Sequence, residues 1–174
     1  AVTGCSSPQD SDSKSGDSSA EEAGSKDGAK PGVEKVDPDD VIAKQDVKVP
    51  GSDEDEVTVA IHSLVVDGKT QTLTMVVTPH FRSVGDDESI SIYDSWGENK
   101  FNPQLIDADN LKVYSPISDT YEEWTSDPVF TKTTNNQPVT AWAVFKAPEN
   151  DIDSVDIRLQ ESWSKFTDIP ITES

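Results

Sequence analysis

Residues 57–77 read Val-Thr-Val-Ala-Ile-His-Ser-Leu-Val-Val-Asp-Gly-Lys-Thr-Gln-Thr-Leu-Thr-Met-Val-Val, and their period decides the fold class. Val57, Val59 and Ile61 alternate with Thr58, Ala60 and His62. Leu73 and Met75 alternate with Thr72 and Thr74. A spacing of two places every second side chain on one face, as in a half-buried β-strand, and not on a helical stripe. The Asp67-Gly68 pair between the two runs marks a hairpin. A two-residue Asp67-Gly68 turn would put the two apolar rows on opposite faces. A three-residue loop, Val66-Asp67-Gly68, pairs Val65 with Lys69, Ile61 with Leu73, Val59 with Met75 and Val57 with Val77. Both rows then share a face. A slip of one residue is costly wherever a face is buried, so the longer loop is expected, with Gly68 in the left-handed conformation.

The same reading extends to the C-terminus. "VTAWAVFK" (139–146) is apolar on both faces, as a central strand covered on both sides would be. In "SVDIRLQ" (154–160), Val155, Ile157 and Leu159 alternate with Asp156, Arg158 and Gln160. Turn-forming clusters at 85–89, 107–110, 135–138 and 148–151 separate the runs. No helix is evident. The expectation is an all-β, antiparallel β-sandwich over residues 51–174.

The N-terminal part differs in kind. Every aromatic residue lies at Phe81 or later. The stretch "SSPQDSDSKSGDSSAEEAGSKDGAKPG" (6–32) offers too little apolar surface to offset the entropy of ordering it. Residues 5–50 are therefore expected to form a disordered acidic tether. Within 33–50, Val41, Ile42, Val47 and Val49 could dock on the domain or add an edge strand, while Pro38 and Pro50 oppose a long element.

The 34 acidic residues against 14 basic ones give a net charge of −20. Such a surface repels phosphates, which argues against nucleic-acid binding, and it repels anionic lipid headgroups. It also opposes self-association, and the domain is expected to be monomeric. The single cysteine, Cys5, cannot form an intramolecular disulfide. Ahead of it stands Val2-Thr3-Gly4, and the pattern aliphatic, small, Gly, Cys resembles the lipobox of bacterial lipoproteins. In that family the cysteine sulfur carries a diacylglycerol and the signal peptide is cut just before it. The resemblance implies that residues 1–4 are a signal-peptide remnant and that Cys5 is the lipid attachment site. It further implies a protein on the extracellular face of the cell membrane, in a Gram-positive envelope. Acyl chains anchor at about 0.8 kcal/mol per buried methylene, and a tether after the anchor lets the domain stand off.

The folded part carries a second resemblance. "FKAPENDIDSVDIRL" (145–159), "WSKFTDIPI" (163–171), "NPQLIDADNLKVYSPISD" (102–119) and "VTVAIHSLVVDGKTQTLTMVVTP" (57–79) resemble successive segments of a family of actinobacterial extracellular domains. That family is immunoglobulin-like in fold and occurs on lipoproteins. It brings no catalytic residues, and its shared motifs are turn and strand residues, which speak to fold rather than activity.

No nucleophile-elbow, phosphate-loop or zinc-protease motif occurs in the sequence. His62 falls on the polar face of its strand and His80 near a strand end, so both read as ordinary surface residues. Neither an enzyme nor a cofactor is expected. Asp86-Asp87-Glu88, Asp107/Asp109 and Asp151/Asp153 could offer calcium oxygen ligands, but Asp also serves turns directly, and no metal is assigned. Trp96 in "YDSWGENKF" and Trp124 in "YEEWTSD" stand in polar stretches. They either cap the end of the core or sit exposed, where they could stack on a sugar or anchor a protein. Trp142 and Trp163 are expected to pack inside. The reading that follows is a membrane-anchored binding or interaction module whose partner is an unspecified envelope protein or glycan. The alternatives are a glycan-binding module using Trp96 and Trp124, or a structural spacer.

Overall fold

A computed structural model describes residues 36–174. Cys5, residues 1–4 and the expected tether up to residue 35 lie outside the described residues. The described chain is all-β, with one helical turn. In the first sheet, β1 (Ala43–Lys48), β2 (Glu56–Asp67), β3 (Thr70–His80) and β8 (Val139–Lys146) lie side by side in that order, each antiparallel to its neighbour. The second sheet runs β10 (Phe166–Pro170), β9 (Ser154–Arg158), β5 (Gln104–Asp107), β6 (Lys112–Tyr114), again antiparallel. A two-stranded ribbon pairs β4 (Ser89–Ser91) with β7 (Lys132–Thr134). The last strand, β11 (Thr172–Glu173), pairs parallel with β2 at Val65 and Val66. It occupies the edge of β2 that β1 leaves free past Ile61.

Inward residues of both sheets meet in one core. Val57, Val59, Ile61, Leu64, Leu73, Met75 and Phe145 come from the first sheet, and Leu105, Ile157, Phe166 and Ile169 from the second. Alternation along each strand delivers these side chains to one face, and their burial is the main favourable term in folding.

The first hairpin has the expected shared face but not the expected register. Asp67 lies opposite Thr70, so the turn is the two-residue Gly68-Lys69. Leu64 faces Leu73 and Ser63 faces Thr74. Past His62 the pairing shifts, placing Ile61 opposite Met75, Val59 opposite Val77 and Val57 opposite Pro79. The extra residue needed to bring both apolar rows inward sits in the strand, as a bulge at His62, and not in the loop. The physical conflict identified in the sequence is real; the bulge resolves it. Gly68 does take a positive φ of 58°, which suits the first position of a two-residue hairpin turn.

Three further expectations change. β8 ends the first sheet's strand order and is not central, yet both its faces are covered. Ala141, Ala143 and Phe145 are in the core, and Trp142 on the opposite face is also buried. The sheet begins at Ala43, inside the stretch assigned to the linker: the edge-strand option for 33–50 is the one formed, and β1 pairs with the whole first half of β2. Finally, a helical turn, α1 (Ile92–Ser95), leads into "YDSWGENKF" (93–101). Ser91 caps it, its hydroxyl accepting from Asp94 N while Asp94 Oδ2 accepts from Ser91 N. Gly97, with φ 64°, follows the turn. A Cβ there would lie 2.2 Å from Pro50 O, so only glycine fits between the helix end and the β1–β2 connection.

Ahead of β1, residues 36–42 cross the outer face of the first sheet. Val36 N donates to Thr140 Oγ1 on β8 (3.5 Å), the His62 ring meets Asp40 O, and Ile42 N donates to Ile61 O (2.7 Å). The bulge that sets the core register thus also turns His62 toward this strap.

Candidate binding surface

The free edge of β8 is covered by the connection between β6 and β7. Val144 N donates to Trp124 O and Val144 O accepts from Ile117 N, both at 2.8 Å. Ser126 N donates to Trp142 O at 2.9 Å, and the Ser126 hydroxyl accepts from Trp142 N at 2.9 Å. Trp124 N donates to Ile117 O at 2.8 Å, closing a compact turn outside the sheet.

Two short turns in this connection are built alike. In "SDTYEE" (118–123), Asp119 Oδ1 accepts from Tyr121 N (3.0 Å) and Glu122 N (2.9 Å). In "SDPVFT" (126–131), Asp127 Oδ1 accepts from Val129 N (2.8 Å) and Phe130 N (2.9 Å). Each aspartate satisfies two amides that would otherwise face water, and so holds its turn. Pro128, directly after the capping aspartate, is pre-set for a first helical position. The second turn is fastened at both ends: Tyr93 N donates to Pro128 O (2.8 Å), and Ile92 N to Thr131 O (3.0 Å).

Each turn presents an aromatic ring to solvent. Tyr121 is 92% exposed and Phe130 76%. Val129 and Tyr93 beside them are also exposed, and Trp124, between the two turns, is half-buried. Residues 118–131 carry Asp119, Glu122, Glu123 and Asp127 and no lysine or arginine. Lys100, from outside this stretch, pairs with Glu123 at 2.6 Å.

The tryptophans therefore divide. Trp96 is fully buried: its ring lies edge-on to Phe101 (centroids 5.2 Å apart) and to Trp163 (5.0 Å), and its Nε1 donates to Leu159 O. It closes the end of the core and cannot face a ligand, which corrects the idea that Trp96 and Trp124 together form a stacking surface. Trp163 is buried with it, its Nε1 donating to Lys48 O at 2.8 Å. Sequence reading missed Tyr121 and Phe130. The available signal was the repeated Ser-Asp pair followed, two or three residues after the aspartate, by an aromatic ring.

Elsewhere, several of the candidate polar groups are taken up by the fold. Asp107 is buried and its carboxylate accepts from Asn110 N and Nδ2, the turn role of aspartate. No group of three or more His, Cys, Asp or Glu that could hold a metal ion occurs among the described residues. His80 Nε2 meets Thr58 Oγ1 at 2.9 Å and its Nδ1 meets Asn136 Oδ1 at 2.7 Å. Hydrogen bonds from Lys112 and Lys146 hold Glu149 down at about 2, and the same contact raises Lys112. The hydrogen bond from Lys165 lowers Asp156, against its partial burial.

No protein-family model, curated protein or solved structure matches the chain.

Proposed function

We propose that this chain is a lipid-anchored binding module on the extracellular face of a bacterial cell membrane. Its all-β domain is immunoglobulin-like, and the edge of β8 is its binding surface. The observation that carries the binding role is the display of Tyr121 and Phe130 on two aspartate-capped turns. An isolated exposed apolar side chain is ordinary. Two exposed rings on hydrogen-bonded turns of one connection, either side of Trp124 in the sequence, are suited to a preorganised contact surface. The anchoring role rests on Val2-Thr3-Gly4-Cys5 and on the acidic stretch that follows it. The glycan alternative retains Trp124 and loses Trp96.

Two measurements test this reading. In cells expressing the full-length precursor, the protein is expected in the detergent phase, and a Cys5→Ser variant in the aqueous phase. Continued detergent partitioning of Cys5→Ser would show that the cysteine is not the anchor. For binding, a photo-cross-linking residue at position 121 is expected to capture a discrete envelope component, while one at Glu173, on β11 at the other side of the first sheet from β8, does not. Equal capture from both positions would remove the β8 edge as the binding surface.

A further inference from the structure

We propose that the β8 edge docks a cationic protein surface, with arginine and lysine heads packed against Tyr121 and Phe130. The inference rests on the binding-module reading and names its partner class. Charge selects the occupant. The stretch that carries the rings, 118–131, holds Asp119, Glu122, Glu123 and Asp127 and no basic residue, and Lys100 from outside it pairs with Glu123 alone. A second copy carrying −20 is repelled by such a surface. Nucleic acid and anionic lipid are repelled for the same reason.

The rings give the surface a use for cations beyond long-range attraction. A guanidinium or ammonium group over the face of an aromatic ring is attracted by its quadrupole, and arginine does this most often. A neighbouring carboxylate can take the remaining N–H donors of the same guanidinium. Tyr121 and Glu122 come from one capped turn, and Phe130 follows Asp127 in the other, so ring and carboxylate are presented together in both. The turns are fixed before binding, which reduces the ordering cost of association. Tyr, Trp and Arg are also the residue types that dominate interface energetics.

Titration of deca-arginine into the isotope-labelled full chain, at about 0.15 M salt to screen diffuse attraction, tests the proposal by amide chemical shifts. Saturable shifts are expected at residues 119–131. The double variant Tyr121→Ala/Phe130→Ala keeps every charge and is expected to bind roughly tenfold or more weakly. Both side chains are exposed, so its melting temperature should stay near that of the parent. The variant Glu54→Gln/Glu161→Gln removes two charges elsewhere and is expected to bind within about twofold of the parent. Shifts spread over the whole surface, or equal binding by the aromatic double variant, would overturn the proposal. So would saturable shifts at 119–131 with neutral chito-oligosaccharide and none with deca-arginine, which would assign the surface to a glycan. None of these outcomes touches Cys5: a failed titration leaves the anchored-module reading standing, and a failed detergent partition leaves this surface standing.

Discussion

Replacing Asp55 should expose how much of the domain hangs on one carboxylate. Asp55 lies in the β1–β2 connection and is 5% exposed. Its Oδ1 accepts from Arg82 N (2.8 Å) and Ser83 N (3.1 Å), and its Oδ2 from Ser83 Oγ (2.8 Å) and Ser52 Oγ (2.9 Å). It thereby ties that connection to the chain leaving β3. In Asp55→Ala the two serine hydroxyls can turn to water, but the two amides lose a charged acceptor. At about 1.5–3 kcal/mol for each hydrogen bond to a charged group, the expected loss is about 3–6 kcal/mol. Asp55→Asn keeps an oxygen for both amides, and the rotatable hydroxyls can accept from its NH2, so it should cost about 1 kcal/mol. Both losses are read from urea unfolding by linear extrapolation. The pH dependence supplies a second test. Burial pushes the Asp55 carboxyl up, but the hydrogen bonds from Ser83, Ser52 and Arg82 outweigh it, and the net shift is downward. A group depressed in the folded state contributes stability above its ordinary value of 3.8 and loses it as pH falls through the folded value. The gap between parent and Asp55→Asn should therefore narrow on acidification below about pH 4. Comparing the two proteins cancels the relief of general charge repulsion. An Asp55→Ala loss below about 0.5 kcal/mol, the usual range for a featureless surface change, would refute the reasoning, as would a gap that stays constant down to low pH.

Other expectations follow from single contacts. Trp96→Ala should lose about 3–5 kcal/mol, as large aromatic deletions from cores do. Trp124→Ala should lose clearly less in the same urea experiment, and comparable losses would contradict the different burial of the two rings. Gly97→Ala combines a positive φ with a Cβ 2.2 Å from Pro50 O, and should cost about 2–5 kcal/mol. Gly68→Ala has a similar φ but open space around it and should cost only about 1–2 kcal/mol; equal penalties would mean that the Pro50 contact yields freely. Glu149 should titrate near 2 by carboxyl NMR, against its ordinary 4.5. A midpoint near 4.5 would show that Lys112 and Lys146 do not hold it.

Local alternation was enough to read β2, β3 and β9, because a half-buried strand needs an apolar residue at every second position and little else, while β8 showed as a short run apolar on both faces. The hairpin register was only half legible. Val57, Val59, Ile61 and then Leu64 break step by one residue, and that break is visible in the sequence. It can be absorbed in the loop or in the strand, and alternation does not choose between them. The strap at Asp40 and the edge shared by β1 and β11 favour the strand, and these contacts come from far along the chain. The place of β8 was misread for a related reason: apolar character on both faces reports what covers a strand, not which neighbours pair with it. The helical turn at Ile92–Ser95 is too short to show a helical period, although Ser91 and Asp94 hold the spacing of a capping box.

The candidate surface was legible in its chemistry and not in its geometry. Trp96 and Trp124 both stand among polar residues, so composition treats them alike. Phe101, Leu159 and Trp163 come from separate parts of the chain, and together they bury Trp96. Trp124 instead follows a segment whose backbone is committed to the open side of β8. An uncovered β8 would offer Val144 N and O to any extended chain, and such an edge invites aggregation. Ile117 and Trp124 satisfy both groups and close it. The residues that close it must then turn away from the sheet, and the turns they make are capped by Asp119 and Asp127. Edge protection thus dictates where the connection runs, while the choice of Tyr121 and Phe130 at its two most exposed positions is left unexplained by protection alone. Polar residues would close the edge equally well, and would remove 92% and 76% exposed rings from water. The proposed binding role would account for that surplus, and the selective test therefore falls on those two side chains.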